Sequence, residues 1–391
     1  MRGVENRIVA LLLGSMFVWA PNSFADGGDT VIVSLGLKEE YSDNIFFDAN
    51  DEEDDYITTI SPEIELRRSH ERTSASLKGL LDIGRYSDND ELDEVDQRYS
   101  ADLFHQLTDR FYFSGDAFYK RDSRSDRDID ETGLTLGTDV RKRQHYGADI
   151  GYVLSEKSTI SAAYVYNRDD FDDPYEVDSD IYKVELQLKY NLSDWFPLTT
   201  GFVTTSYARY EDSTMEVDYY NLLFGVERQL SELFSFYADL GGRYSTSKFD
   251  AFYDDDDNFG GVAKVGCRYK GEVTSGNVSF SHDLAARSGS TGGTERTSFV
   301  VSMRRRLAEK ITARLSGGYY LNKTCSGEYS FGEIDETTIR ISPGITYRVT
   351  QNMNLEASYK YTHLKDKEKD DETTERNSVF IRLVMDHHFF E

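Results

Sequence analysis

Apolar residues recur at every second position over most of the chain. The clearest run is Tyr182, Val184, Leu186, Leu188 and Tyr190, with polar residues between them. A period of two places alternate side chains on opposite faces of a β-strand. Soluble strands average about five to six residues, whereas a tilted strand that crosses a membrane needs about 9–11. The length of these runs therefore predicts strands that can cross a membrane.

The C-terminal stretch continues this pattern to the end of the chain. Its alternating positions are Val379, Ile381, Leu383, Met385, His387 and Phe389, followed by Phe390 and Glu391. A long strand with terminal aromatic residues resembles the closing strand of bacterial outer-membrane barrels, which the assembly machinery reads. The resemblance predicts a closing-strand signal made of Leu383, Met385, Phe389 and Phe390.

Short turns alternate with long, acidic loops along the whole chain, and we count about eighteen strands between them. The predicted long loops are 43–55, 87–96, 122–142, 246–259, 287–296, 323–335 and 364–375. In outer-membrane barrels the turns face the periplasm and the loops face outside. We therefore predict an all-β fold, a transmembrane antiparallel up-and-down β-barrel over residues 26–391, with both termini periplasmic. A short alternating piece at Leu134 and Leu136 has no predicted role.

Residues 1–25 read as an export signal rather than as part of the fold. Arg2 and Arg7 form a basic start, an apolar core follows from Ile8 to Ala20, and 23–25 is a small-x-small cleavage site. The apolar run is too short for a membrane helix. The mature chain is therefore expected to be exported, and either to stay soluble or to enter a membrane as a barrel.

Composition supports a barrel over a soluble globular fold. The chain has 27 Tyr and 23 Phe but only 5 Pro, and hydrophobic residues make up 38%. A water-filled barrel has a polar inside, a narrow apolar band outside and many interfacial aromatic residues. The net charge of −27 repels nucleic acid, so no nucleic-acid partner is expected.

Candidate chemistry is sparse. The histidines are scattered, and the adjacent His282 and Asp283 point to opposite faces of a strand, so no catalytic residue and no enzymatic activity is predicted. The acidic runs 51–55 and 254–257 lack the ligand spacing of a calcium loop, so no metal site or cofactor is predicted. Cys267 and Cys325 are expected to be free thiols, with a disulfide as the alternative.

The polar face of the strands carries charges of opposite sign in the two halves of the chain. Early strands offer an acidic pore-lining wall, made of Glu63, Glu65, Asp82, Asp102 and Asp116. Later strands offer a basic wall, made of Lys264, Arg268, Arg304, Arg314, Arg340, Lys360 and Arg382. Two such walls would set a field across a narrow channel and select polar solutes. The alternative is that the charges only solvate the lumen and pair across strands.

Several short segments carry a resemblance to a known family. They are Tyr41–Phe47, Arg141–Ala148, Leu154–Ser158 and Gly289–Ser298, together with the exported start. With them the mature chain resembles the outer-membrane β-barrel porins encoded beside exopolysaccharide and exosortase (PEP-CTERM) gene clusters. The resemblance implies an outer-membrane barrel associated with polysaccharide production or export, and it brings no catalytic residues.

The expected function is an outer-membrane pore for passive export of exopolysaccharide, in which Tyr112, Tyr237 and Tyr320 could stack on sugar rings. One alternative is a general or substrate-specific diffusion porin for small solutes, and another is a structural or adhesive surface barrel. Expected partners are outer-membrane lipid and lipopolysaccharide, the barrel-assembly machinery, polysaccharide or small polar solutes, and a periplasmic export protein.

Overall fold

The structure is a computed structural model, and it describes residues 28–124, 128–134, 140–173, 176–249, 256–286, 293–324, 334–369 and 371–389. These residues form eighteen strands, one short α-helix, α1 (Ile129–Thr132), and one 3-10 helix (Asp90–Leu92). The strands are β1 (Asp29–Ser42), β2 (Asp55–His70), β3 (Thr73–Tyr86), β4 (Glu94–Gln106), β5 (Phe111–Asp122), β6 (Arg141–Ser155), β7 (Ser158–Phe171), β8 (Ser179–Asn191), β9 (Thr199–Asp212), β10 (Met215–Gln229), β11 (Phe234–Phe249), β12 (Asp256–Lys270), β13 (Thr274–Ala286), β14 (Gly293–Ala308), β15 (Ile311–Thr324), β16 (Asp335–Thr350), β17 (Met353–Asp366) and β18 (Glu372–Phe389).

The strands close into a single barrel. Each strand pairs antiparallel with its neighbours in sequence, and β18 returns to β1 over a continuous register from Val31↔Phe389 to Ser42↔Ser378. Closure leaves no strand edge unpaired around the ring, which is the condition for a sheet to sit in lipid. The predicted eighteen-stranded antiparallel barrel is confirmed.

Several strands are longer than the pattern predicts. β11 continues to Phe249 and β12 begins at Asp256, inside the predicted loop 246–259, and β14 begins at Gly293, inside the predicted loop 287–296. These extensions are rich in Ser, Thr, Asp and Gly. Beyond the apolar band the outer face no longer needs apolar residues, so the period of two disappears although the strand continues.

The two faces of the barrel differ in chemistry. On β8 the outward side chains Val184, Leu186 and Leu188 are 43–47% exposed, while Lys183, Glu185 and Gln187 alternate with them on the inward face. The same division holds across the β8–β9 ladder, where Leu188 pairs with Val203 on the outer face and Gln187 with Thr204 on the inner face. An apolar outside and a polar inside invert the pattern of a soluble barrel and fit a lipid environment.

Aromatic side chains flank the apolar band at both ends. Near the long loops, Tyr146, Tyr166 and Tyr182 lie side by side on β6, β7 and β8, with ring centroids 6.2 and 5.1 Å apart. Near the short turns, Phe234 lies 4.8 Å from Tyr269. On β11, Phe234 and Tyr244 are ten residues apart. At about 3.4 Å per residue and a tilt of about 40°, that separation is about 25 Å, which matches the hydrocarbon band of a barrel.

The predicted closing strand lies where the pattern places it. Leu383, Met385 and Phe389 on β18 pair with Leu37, Leu35 and Val31 of β1, all on the outer face. Cys267 is a free thiol on the outer face of β12. The export signal, Cys325 and Phe390 lie outside the described residues. In the part of the chain that the structure describes, no helix is long and apolar enough to cross a membrane.

Candidate functional site

The barrel lumen is the candidate site, and the ladder registers show which side chains line it. All of the predicted wall residues fall on the inner face. Glu63 and Glu65 (β2) are followed around the ring by Asp82 (β3), Asp102 (β4) and Asp116 (β5). The basic residues on the inner face are Lys264, Arg268, Arg304, Arg314, Arg340, Lys360 and Arg382.

The inner face is covered at one end of the barrel and open at the other. Along β2 the inward residues Asp55, Ile57, Thr59 and Ser61 are at most 6% exposed, whereas Arg67 near the short turn is exposed. We call these two ends the loop end and the turn end. The burial shows that other parts of the chain fold over the lumen at the loop end.

Residues 128–134, which belong to the connection between β5 and β6, form one of these covering segments, and we call them the strap. It is anchored at its start by Asp128, whose carboxylate accepts two hydrogen bonds from Arg141, at 2.5 and 2.8 Å. The Arg141 side chain is fully buried, and Arg143 adds a longer ion pair to Asp128 at 3.5 Å. A buried arginine needs such partners because an unpaired buried charge costs several kcal/mol, about 3–5.

The far side of the strap docks on the opposite wall of the barrel. Asn322 on β15 donates a hydrogen bond to the Thr132 carbonyl at 3.0 Å, and Thr338 on β16 donates one to the Gly133 carbonyl at 2.5 Å. β15 lies half-way round the ring of eighteen strands from β6. The strap therefore crosses the lumen from wall to wall.

Local sequence explains why the strap turns where it does. Gly133 has φ +71°, a left-handed conformation that ends α1, and its amide donates to the Ile129 carbonyl at 3.1 Å. A Cβ at this position would lie 2.4 Å from Tyr320 Cβ, so the strap backbone packs directly on that ring. Ile129 and Leu134, at 0% and 5% exposure, fill the space beside it.

The ionic anchor of the strap remains charged over a wide pH range. Burial alone raises the pKa of Asp128, but the hydrogen bonds and charges of Arg141 and Arg143 outweigh burial and lower the pKa to about 2. The anchor is therefore intact at neutral pH and titrates only in strong acid.

A second segment bends over the loop end. The β12–β13 ladder stops at Ala263↔His282, although β13 stays paired with β14 up to Ala286↔Gly293. Beyond that point Leu284 packs against the buried cluster of Tyr210, Met215 and Val217 from β9 and β10. Arg243 of β11 bridges the gap, with ion-pair distances of 3.7 Å to Asp283 and 3.5 Å to Glu295. The described ends of β13 and β14, which we call the β13–β14 tip, thus lean inward and narrow the loop end.

The turn end of the lumen carries a concave recess of about 570 Å³ on the inner face of β12–β15. Its cations are Arg268, Lys270, Arg304 and Arg314, and we call it the arginine recess. Arg268 pairs with Glu227 at 3.1 Å, and Arg314 pairs with Glu356 at 3.1 Å. Arg304 and Arg314 are direct neighbours in the ladder. Like charges placed directly opposite destabilise a sheet, so this pairing is not explained by cross-strand neutralisation.

A second recess of about 470 Å³ lies on the other side of the turn end, on β2–β5, and we call it the acidic recess after Asp102 and Asp116, which line it together with Arg67 and Arg68. Here Asp102 and Asp116 are direct neighbours in the ladder, and Asp82 is similarly paired with Asp96. Asp102 accepts a hydrogen bond from Ser76 at 2.9 Å, and Asp116 contacts His145 at 2.6 Å. β3 and β12 are half-way round the ring from each other, so the two recesses face each other across the lumen.

Some predicted residues do not have the surroundings that a pore-lining role requires. Tyr320 is 2% exposed under the strap, so the predicted stacking of a sugar ring on it is wrong in this structure. Arg340 is 5% exposed, so it lies on the inner face but does not contact open lumen. Tyr237 is covered on one face by Arg268, at 4.5 Å, and Tyr112 lies 5.9 Å from Phe104 near the turn end.

The strap is the functional feature that sequence reasoning missed. Its residues 128–134 are part of the predicted loop 122–142, and only Leu134 was singled out there. One local signal points to it, since Gly133 follows a helix-compatible stretch that begins at Asp128. The docking partners Asn322 and Thr338 are about 190 or more positions away in sequence, so no local pattern could identify them.

Comparisons with known proteins give folds of the same kind at low similarity. No protein-family model and no curated protein sequence matches the chain. Among solved structures, OccAB4 of Acinetobacter baumannii is 11% identical with a TM-score of 0.49, over 94% of this chain and 100% of that one. The outer membrane protein opdK of Pseudomonas aeruginosa is 9% identical with a TM-score of 0.47, over 92% and 99%. The alcaligin receptor FauA of Bordetella pertussis is 8% identical with a TM-score of 0.43, over 90% and 76%.

Proposed function

We propose that this chain is an outer-membrane channel for polar solutes. The observation that carries the proposal is the division of the closed barrel into an apolar outer band and a charged inner wall, for example Leu186 outside and Gln187 inside on β8. Barrels of 16–18 strands are wide enough to hold an aqueous channel. Both termini would then lie on the periplasmic side, with the turn end facing the periplasm and the loop end facing outside.

The inner wall supports selection by charge rather than simple solvation. Like-charged neighbours occur on both walls, with Arg304↔Arg314 on one and Asp102↔Asp116 on the other. Charges that served only to neutralise one another would alternate in sign across the ladder. Opposed walls of this kind set up a transverse field that orients a polar or zwitterionic solute in the channel.

We further propose exopolysaccharide as the cargo, on the strength of the resemblance to barrels encoded beside exopolysaccharide gene clusters. The test is deletion of the gene in its native host with measurement of polysaccharide at the cell surface. Loss of surface polysaccharide, restored by the intact gene, is the expected result. An unchanged amount of surface polysaccharide would exclude exopolysaccharide as the cargo, but it would not contradict the channel proposal.

One observation favours a small-solute porin as the second candidate. The strap crosses the loop end from Asp128 to Thr338, which narrows the path that a polymer would take. Export of a chain requires the strap to move, whereas small solutes need only the space beside it.

Liposome swelling tests the channel proposal itself. Proteoliposomes containing the mature protein are placed in isosmotic solutions of neutral sugars of increasing size, and the rate of swelling is followed by light scattering. We expect swelling with monosaccharides and disaccharides and a decline for longer oligosaccharides, because the strap limits the cross-section. Swelling no faster than that of protein-free liposomes would contradict an open channel.

A further inference from the structure

The arginine recess has the features of a binding site for an anionic group, rather than of a generally basic wall. It is concave, it lies on the inner face at the turn end, and Arg268, Arg304 and Arg314 line it together. Ser302, Ser316 and Asn277 add hydroxyl and amide groups to the lining. Hydroxyl, amide and guanidinium donors together suit the oxygens of a carboxylate, phosphate or sulfate.

Two of the three arginines are held in place by carboxylates on flanking strands. Arg268 pairs with Glu227 of β10 and lies over the Tyr237 ring, and Arg314 pairs with Glu356 of β17. Both pairs are partly exposed, so the ion pairs contribute little to stability by themselves. Their effect is to fix the positions of two guanidinium groups at the sides of the recess.

Arg304 differs from the other two. It is exposed on the inner face between them, and within the described ranges it makes no hydrogen bond or ion pair through its side chain. Its neighbour in the ladder is Arg314, so the two positive charges face each other directly. Arg306, two residues further along the same face, is also exposed, so the strand adds positive charge toward the turn. The local excess of positive charge would be relieved by an oxyanion between Arg304 and Arg314.

We propose that the arginine recess binds an oxyanion substituent of the transported solute, a carboxylate, phosphate or sulfate, at the turn end of the lumen. The recess opposite carries Asp102 and Asp116 beside Arg67 and Arg68, so it offers an anionic group less net positive charge than the β12–β15 side of the mouth. This inference rests on the proposed function in that the solute must reach the turn end. Because the three arginines are exposed, binding is weak and falls as ionic strength rises.

Binding to purified protein in detergent tests the site without any need for conduction. Trigalacturonate supplies carboxylates, inorganic phosphate supplies the other oxyanion chemistry, and maltotriose is the neutral probe, each titrated calorimetrically at low ionic strength. We expect binding of one or both anionic probes and none of maltotriose. If only trigalacturonate binds, the group is a carboxylate on a sugar chain, and if phosphate binds equally the recess selects charge alone.

Matched variants locate the site. Arg304→Gln is expected to raise the half-saturating concentration of the anionic probe about tenfold, because one charge-assisted contact is lost. Arg67→Gln removes an exposed arginine from the acidic recess at the same end, and is expected to change binding less than twofold. Equal binding by wild type and Arg304→Gln, or equal binding of maltotriose, would overturn the proposal. If proteoliposomes swell while either of these two binding results is found, the channel proposal stands and only oxyanion binding at the arginine recess is rejected.

Discussion

At the scale of single residues, the buried ion pair between Asp128 and Arg141 determines the position of the strap. Arg141 and Arg243 are the largest fully buried side chains of the inner wall, and the carboxylate partners of Arg141 are Asp122 and Asp128. Asp122 belongs to β5, whereas Asp128 belongs to the strap. The ion pair between Arg141 and Asp128 is therefore lost whenever the strap leaves the wall. Arg141 would then be left as a buried charge with fewer partners, which favours the docked state.

The pH dependence of the strap follows from this pair. The pKa of Asp128 is lowered from 3.8 to about 2, so the strap's ionic attachment is complete above about pH 4 and is lost as the pH falls through about 2. A shift of this size corresponds to about 2 kcal/mol. We expect single-channel conductance of the wild type to rise between pH 4 and pH 2, as the strap is released.

Asp128→Asn provides the matched comparison. A side-chain amide at position 128 cannot neutralise Arg141. The conductance of this variant at pH 7 is therefore expected to equal that of the acid-treated wild type and to change little with pH. Asp109→Asn, at a turn-end position with a 91% exposed side chain, serves as the control and should behave as wild type. A conductance at pH 7 that is the same in Asp128→Asn and in wild type would show that this pair does not hold the strap.

Substitution of Gly133 tests the packing of the strap on Tyr320. Gly133→Ala places a Cβ 2.4 Å from Tyr320 Cβ in a left-handed conformation, which alone costs about 1–2 kcal/mol. We expect faster hydrogen exchange of backbone amides in residues 128–134, measured by mass spectrometry. Gly261→Ala, where a Cβ would meet nothing within 4 Å, is the control and should leave that exchange unchanged. Unaltered exchange in Gly133→Ala would contradict the packing described for the strap.

At the scale of elements, the alternating pattern of each strand determines which face meets lipid. The strand runs were predictable because every inward polar residue on a strand such as β8 is flanked by outward apolar ones. The extensions of β11, β12 and β14 were not predictable, since above the apolar band both faces meet polar surroundings. The inward lean of the β13–β14 tip also has no local signal, because it depends on contacts of Leu284 with Tyr210 and Val217.

Adjacent residues on β8 give a direct test of face assignment. Leu186→Arg places a charge on the apolar band and is expected to lower the free energy of unfolding in lipid by about 2–4 kcal/mol. Gln187→Arg places the same charge on the inner face, one residue away, and is expected to change the free energy of unfolding by less than about 1 kcal/mol. The measurement is reversible denaturation in vesicles. Equal losses in the two variants would mean that β8 does not have one face in lipid.

At the scale of the whole molecule, the fold could be predicted from sequence far better than the site. Eighteen strands, their order and the closing strand follow from periodicity and from the alternation of turns with loops. The inward placement of the charged residues was also predictable, because a residue's face is fixed by its position in the strand. Which of the inward side chains remain open to the lumen was not predictable. Tyr320 is covered by a strap that begins on the opposite wall, and Arg340 is buried as well.

Under the proposed function, the barrel would be a channel with two distinct ends. The turn end is open and carries the two facing recesses, so it would select solutes by charge. The loop end is crossed by the strap and by the β13–β14 tip, so it would limit the size of the solutes that pass. Selection and gating would therefore be located at opposite ends of one lumen.

The most direct test of this account is single-channel recording of the mature protein in a planar bilayer, comparing the wild type with Thr338→Val. That variant removes the hydroxyl that donates to the Gly133 carbonyl, while Thr362→Val changes a buried inner-wall threonine of β17 as the control. We predict steady conductance steps in all three proteins, with larger steps in Thr338→Val alone. Bilayers that remain silent with the wild type and with Thr338→Val would contradict a polar channel limited by the strap.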